Sequence, residues 1–275
     1  MNTPRPDGRE ATPTIATEIE LKFELPEHYT LPDLSGISPA VMMSDPREQQ
    51  LDALYFDTDH LALARRGITL RRRSGGSDAG WHLKLPRTAG ERIEVRLPAL
   101  PEPADGSRQV PAVLAERLGA YVTGIELRPV ARLRTHRIVY PVLDADQQTL
   151  AEIAVDEVRS TILVQPPVLP DSVWRELEVE LVAGDRRLLH QLRDVVVASG
   201  AMAARATSKL ERALGELLRD TAETSPASAR GHEFAVAAHL NGAAAHWHRR
   251  MDAVTAMRDT VTSRRQVSDQ HPRAW

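Results

Sequence analysis

An α+β fold is predicted, built on a closed antiparallel eight-stranded β-barrel with a charged interior and helices packed outside, plus a C-terminal helix. Three observations predict it. In residues 17–25, TEIELKFEL, Glu18, Glu20, Lys22 and Glu24 alternate with Ile19, Leu21, Phe23 and Leu25. That two-residue period belongs to a strand with one ionic and one apolar face. The alternation then returns along the chain: Thr69, Arg71 and Arg73; His82 and Lys84; Arg92, Glu94 and Arg96; Arg132, Arg134 and His136; Glu152 and Asp156; Glu176, Glu178 and Glu180. Acidic and basic strands are also in near balance. A lone strand of this kind would simply turn its charges to water. Repeated in both signs, the charges are better accounted for by pairing across a wet lumen, because such pairs contribute little on an open surface. The aliphatic face must then be covered by helices.

The elements follow in order. Residues 1–14 are polar, rich in Pro and Thr, and expected to be a disordered tail. The first strand runs from about 15 to 25 and is stopped by Pro26. Residues 29–47 read as loop with a short strand near 40–43, and 51–57 as a strand ending in YFDT. Residues 59–65 have helical spacing at Leu61, Ala62 and Arg65, before Gly67 opens the strand of Arg71 and Arg73. SGGSDAG at 74–80 is a hairpin turn by composition. Pro111 starts a helix reaching Tyr121, with Val113, Leu114 and Leu118 on one side. Three long strands cover 128–143, 149–164 and 173–182. Asp185 caps an amphipathic helix that stops at Gly200, and Thr207 caps a second that runs to Arg219 with Lys209 in its first turn. Residues 221–231, TAETSPASARG, have linker composition, and the chain beyond, 232–275, is expected to hold a helix and a tail.

Composition narrows the function. Of 275 residues 42% are hydrophobic, enough for one large domain and an appendage. A net charge of −3 argues against a general nucleic-acid binder, so any positive charge in use is focused inside. The absence of cysteine excludes disulfides and thiolate chemistry. No apolar run approaches a bilayer span and the first residues lack a signal-peptide core, so a cytoplasmic location without membrane partners is expected. Oligomeric state is not legible.

The motif Glu18-x-Glu20-x-Lys22 resembles the signature of CYTH domains, the triphosphate tunnel metalloenzymes. YFDT at 55–58, GITLRRR at 67–73, WHLKLP at 81–86, RIEV at 92–95, LRTHR at 133–137, AVDEV at 154–158, WRELEVEL at 174–181 and SKLERAL at 208–214 are similar to the family in the same order. The resemblance covers roughly residues 15–220. AVTAMRDTVTSRRQ at 253–266 is similar in part to the opening helix of a CHAD domain, although Thr255 stands where that family has histidine. About 45 residues are too few for a helical bundle, which makes a truncated remnant the expectation.

Lumen cations need an anion, and the densest biological anion of tunnel width is a polyphosphate chain. Arg71, Arg73, Arg92, Arg132, Arg134 and Arg137 are the candidate phosphate clamps, guanidinium being suited to bidentate oxygen contacts. Glutamates in the same lumen would repel that ligand unless a cation lies between, which implies Mg²⁺ or Mn²⁺. The alternative for each carboxylate is an ion pair with a facing arginine. The resemblance implies Glu18, Glu20, Glu178 and Glu180 as metal ligands, with Asp156 and Glu94 further candidates, and Lys22, Lys84 and Lys209 as catalytic cations. It implies metal-dependent hydrolysis of a triphosphate, inorganic tripolyphosphate foremost and thiamine or nucleoside triphosphates also open. A polyphosphate-sensing module and an adenylate cyclase are the alternatives. His82 and His136 read as hydrogen-bonded neighbours, Trp81 and Trp174 as exterior core, and Glu176 as a structural ion pair. Tyr55, Asp57 and Thr58 either touch substrate or cap the strand.

Overall fold

The opening alternation becomes β1 (Thr14–Glu24), and this strand closes the sheet by changing partners midway. Thr14 to Ile19 pair with β6 (Glu91–Pro98), while Glu20 to Glu24 pair with β9 (Ser172–Leu181). Between those two the ring continues through β5 (Gly80–Thr88), β4 (Thr69–Ser74), β3 (Arg47–Asp57), β7 (Arg128–Leu143) and β8 (Thr149–Ile162), every neighbour antiparallel. Eight strands thus form a closed barrel. Two short strands append to it, β2 (Met42–Met43) on β7 and β10 (Met202–Ala203) on the end of β1. This computed structural model describes residues 12–34, 36–37, 41–88, 91–99, 109–122, 124, 126–164 and 170–220. The expected disordered tail up to residue 11, the linker and the CHAD-like stretch lie outside the described residues.

The long strands match the alternation closely. The helix expected at 59–65 is a short 3-10 turn, Ala64–Arg66, held by Asp57, whose carboxylate accepts from the backbone N–H of Thr58, Leu63 and Ala64 at 2.7, 2.9 and 2.8 Å. Asp57 and Thr58 are therefore strand-end caps. The β4–β5 hairpin needs glycine at 75: φ is +79° there, and a Cβ would stand 1.9 Å from the Gln50 carbonyl oxygen.

Helix α2 (Arg186–Ala198) covers the outer face. Its N-cap Asp185 accepts from Leu188 N at 2.8 Å, a cap worth about 1 kcal/mol. Leu188, Leu189, Leu192 and Val196 pack with Phe23, Ile153, Leu177 and Val179, each buried side chain contributing roughly 1.5–3 kcal/mol. Helix α3 (Lys209–Asp220) behaves differently. Leu210 and Leu214 pack with Ala53, Tyr55, Leu133, Val158 and Trp174. By strand parity these share the inner face with Arg137, Asp156 and Glu178, so α3 stops one end of the barrel. Trp174 is accordingly an inner-face residue rather than exterior core, because it sits two residues before Glu176 on β9. Trp81 is exterior, tilted against Phe56 with ring centroids 4.9 Å apart. The second compact unit holds, among described residues, α1 (Ala112–Leu118), where Leu114 and Leu118 are buried. No described helix is long and apolar enough to cross a membrane.

Candidate active site

The barrel places charge from six strands, one hairpin turn and one helix around a single lumen. Lys22, Arg71, Arg73, Lys84, Arg92, Arg96, Arg137 and Lys209 line it, together with Glu18, Glu20, Asp78, Glu94, Glu178 and Glu180. Asp156 and Glu176 lie directly behind Lys209, 2.8 and 2.6 Å from its ammonium, which brings the acids to the same number as the cations. The lumen is thus charge-balanced, and its occupants are paired. Lys22 donates to Glu20 at 2.8 Å and also to Glu178, Lys84 donates to Glu18, and Arg73 pairs with Asp78. Arg137 holds Asp156 bidentately at 2.8 and 2.7 Å and reaches Glu178 at 2.5 Å. The free cavity is about 60 Å³.

Three atoms break this pairing. Among the described residues, Arg71 Nε and Arg73 Nε are buried donors without a partner, and Glu18 Oε2 is a buried acceptor without one. A buried polar group left alone costs about 1–3 kcal/mol, so each marks a place where a ligand would be stabilised. Burial, then Arg71, pull the Arg73 guanidinium down to about 10. Glu180 is the complementary case: among the described residues it has no ion-pair partner, and burial, then Glu18, push its carboxyl up to about 7, with Glu20 and Glu178 adding to the rise. Glu20 and Glu180 are register partners on β1 and β9. Glu18, Glu20 and Glu180 therefore present concentrated negative charge with one free oxygen, although, among the described residues, their carboxylate oxygens do not gather within 4.8 Å of one another as a three-ligand group.

Glu178 and Lys209 form the other centre. Burial opposes ionisation of both, yet Lys209, Lys22 and Arg137 hold Glu178 well below the usual carboxylate range, and Asp156, Glu176 and Glu178 hold Lys209 well above the usual amine. Carboxylate oxygens of Asp156, Glu176 and Glu178 lie within 4.8 Å of one another. Tyr55, in the lumen wall, accepts from Arg71 Nη1 at 3.2 Å and keeps its own proton for another acceptor. Burial works against its ionisation, but Arg71, Lys209 and Lys84 hold it below the usual phenol range.

The lumen gathers Lys22, Lys84, Lys209, Arg71, Arg73, Arg137, Glu18, Glu20, Glu178, Glu180 and Asp156 of the expected set. Arg92 stands at its rim, donating to the Thr207 carbonyl and hydroxyl at 2.9 and 3.0 Å. Arg132 and Arg134 are excluded. They face solvent on the outer wall, Arg132 donating to Asp52 at 2.9 and 2.5 Å and Arg134 lying 3.8 Å from it. The reason is parity, since Arg137 points inward and residues three and five positions earlier point out. His136 shares that outer wall, on Glu48 at 2.6 Å. Glu94 is committed to protein partners, Arg96 at 2.5 Å and His82 at 3.0 Å, which leaves it unlike the free-edged Glu18 and Glu180. Arg96 was absent from the expected clamps, although it has the parity of Arg92 and Glu94. Asp78 was absent too, and its turn composition gives no signal for a lumen role.

Comparison with known proteins gives the family of the chain. Two uncharacterized proteins of Mycobacterium tuberculosis, from strains CDC 1551 and H37Rv, are each 40% identical over 214 residues, 74% of this chain and 41% of theirs. The chain therefore spans well under half the length of these relatives. Among solved structures, a candidate adenylate cyclase of Bacillus halodurans is 17% identical with a TM-score of 0.47, covering 72% of this chain and 97% of its own. A candidate adenylyl cyclase of Hippeastrum with a dominant triphosphatase activity is 18% identical with a TM-score of 0.42, covering 72% and 96%. The CYTH domain model matches residues 16–214, which span the whole ring of strands and Lys209 of the plug, and the chain belongs to the CYTH domain family.

Proposed function

We propose that this protein hydrolyses the terminal phosphoanhydride of a triphosphate held in the lumen, inorganic tripolyphosphate foremost, with Mg²⁺ or Mn²⁺ as cofactor. The observation that carries the reading is the pairing of opposites left unsatisfied among the described residues: the free Nε donors of Arg71 and Arg73 against the free Oε2 of Glu18 and the unpaired Glu180. Donors of that kind suit phosphate oxygens, and the carboxylates suit a divalent ion beside them. Asp156 and Glu178, or the acidic face of Glu18, Glu20 and Glu180, would hold a divalent ion, which would lend charge to phosphate oxygens and orientation to the attacking water.

The chain's own groups do the rest. Arg71, Arg73 and Arg137 fix the phosphate oxygens. Lys22, Lys84 and Lys209 exchange a carboxylate partner for phosphate and neutralise charge as the anhydride breaks. Tyr55 offers its proton into the same space. Burial of all these groups keeps their fields strong and removes the need for a covalent nucleophile.

The dense pairing of the lumen favours one second reading, a module that binds polyphosphate without cleaving it. A single assay decides: phosphate release from tripolyphosphate with Mg²⁺ or Mn²⁺, comparing the wild type with Glu20→Ala and Lys84→Ala. Turnover lost in both variants supports hydrolysis. Tight binding by the wild type without turnover defeats it.

A further inference from the structure

Glu176 lies outside both the Glu18-x-Glu20 pair and its Glu178-x-Glu180 counterpart, yet it is as deeply buried as either. Its surroundings are those of a bracket. Trp174, two residues earlier on the same inner face of β9, donates from Nε1 to Glu176 Oε2 at 2.5 Å. The other oxygen, Oε1, makes no aligned hydrogen bond and lies 2.6 Å from Lys209 Nζ. Trp174 is itself fixed, packed with Leu210 and Leu214 of α3 beneath the Arg212 guanidinium, which sits 5.1 Å from the ring centroid.

The three acids around Lys209 are not equivalent. Asp156 and Glu178 each also hold Arg137, so they keep an arginine if they turn toward another cation. Among the described residues Glu176 has Lys209 as its one ion-pair partner. Its second oxygen is taken by a neutral indole N–H, a donor that gives a metal ion no competition for charge and locks the carboxylate plane. An ammonium has three protons to place, and Glu176 is the acceptor that remains when the other two are recruited elsewhere.

We propose, on the basis of the triphosphate reading above, that Glu176 is a positioning residue. Braced by Trp174, it keeps the Lys209 ammonium at the lumen wall while Asp156 and Glu178 change partners, and so aims that cation at the phosphate. It is not itself a metal ligand. The rival is a metal cage of Asp156, Glu176 and Glu178, whose oxygens are close enough to share one ion.

The test uses Glu176→Gln, Trp174→Phe, Lys209→Met and the double variant Glu176→Gln with Lys209→Met, each checked for retained fold by circular dichroism. Tripolyphosphate hydrolysis with Mg²⁺ is measured alongside calorimetric Mg²⁺ titration without substrate. Removing the carboxylate takes one negative charge out of the lumen, which does not weaken anion binding, but it frees the ammonium. Glu176→Gln is therefore expected to lower kcat about tenfold with KM unchanged or lower, and to leave Mg²⁺ affinity within about twofold. Trp174→Phe should shift kcat the same way. In the Lys209→Met background Glu176→Gln should cost nothing more, the signature of residues that act through each other. Full kcat in Glu176→Gln, an undiminished kcat loss in the Lys209→Met background, or a tenfold fall in Mg²⁺ affinity would each overturn the proposal. A wild type without turnover defeats the triphosphatase reading itself, and this inference with it.

Discussion

Lys84 on β5 and Glu18 on β1 form an ion pair across β6, the strand that separates theirs in the sheet. Inward curvature of the barrel wall shortens the reach between such strands. The pair also sets the terms of ligand entry. Phosphate oxygens that contact Lys84 must compete with Glu18 for its ammonium. A triphosphate that took Lys84 alone would strand Glu18, and a divalent ion on Glu18 alone would strand Lys84, each a buried uncompensated charge.

Metal and substrate are therefore expected to bind with positive coupling, since together they replace both halves of each pair. Calorimetric titration of tripolyphosphate with and without Mg²⁺, corrected for their association in solution, should show at least about tenfold tighter binding in company. Additive affinities would show that the pairs need not open.

The same pair separates stability from chemistry. Lys84→Met is expected to reduce phosphate release by about 10²–10³-fold, the scale for removal of a preorganised charge, and to lower the unfolding midpoint because Glu18 loses its partner. Adding Glu18→Gln should restore the midpoint without restoring turnover. Recovery of activity in the double variant would place Lys84 outside the catalytic set.

How much of this was legible depends on what each inner face must meet. On β1, β4, β5, β6 and β9 the charged parity faces the lumen, because the opposite parity supplies residues such as Phe23, Leu83, Val95 and Leu177 to the outer core. Those strands could be oriented from alternation alone. On β7 the pattern inverts. Near the α3 plug the inner face must be apolar, so Leu133 turns inward to meet Leu210, and Arg132 and Arg134 turn outward to Asp52. No periodicity within β7 reveals that a helix arriving some 75 residues later will stopper the barrel. Trp174 was misplaced for the same reason, and Arg96 was passed over although its parity was in view.

This inversion has a measurable consequence. Arg132→Ala and Arg134→Ala are expected to leave both turnover and unfolding midpoint unchanged, as exposed pairs contribute little. Arg137→Met should remove turnover and destabilise the fold by about 3–5 kcal/mol, because Asp156 and Glu178 would keep buried charge without their arginine. Loss of activity in Arg134→Ala would return that residue to the substrate path.

The pH response of the lumen rests on Glu180, raised from the ordinary 4.5 to about 7 by burial and by Glu18. Between those values the folded carboxyl holds a proton that the unfolded chain has released, so its contribution to stability falls as pH rises through that window. At about 1.4 kcal/mol per pH unit the loss approaches roughly 3 kcal/mol above pH 7. His82 runs the other way, because burial, then Arg71 and Arg73, hold its imidazole below 6.5 against the opposing pull of Glu94, and stability from that residue grows with pH. Comparison with Glu180→Gln cancels the histidine. In the presence of a chelator the variant should match the wild type at about pH 4 and be more stable by up to roughly 3 kcal/mol at about pH 8, as read by urea denaturation. Mg²⁺ should narrow that gap by stabilising the wild type more than the variant, since the ionised carboxylate that costs stability when bare is the form a divalent ion binds.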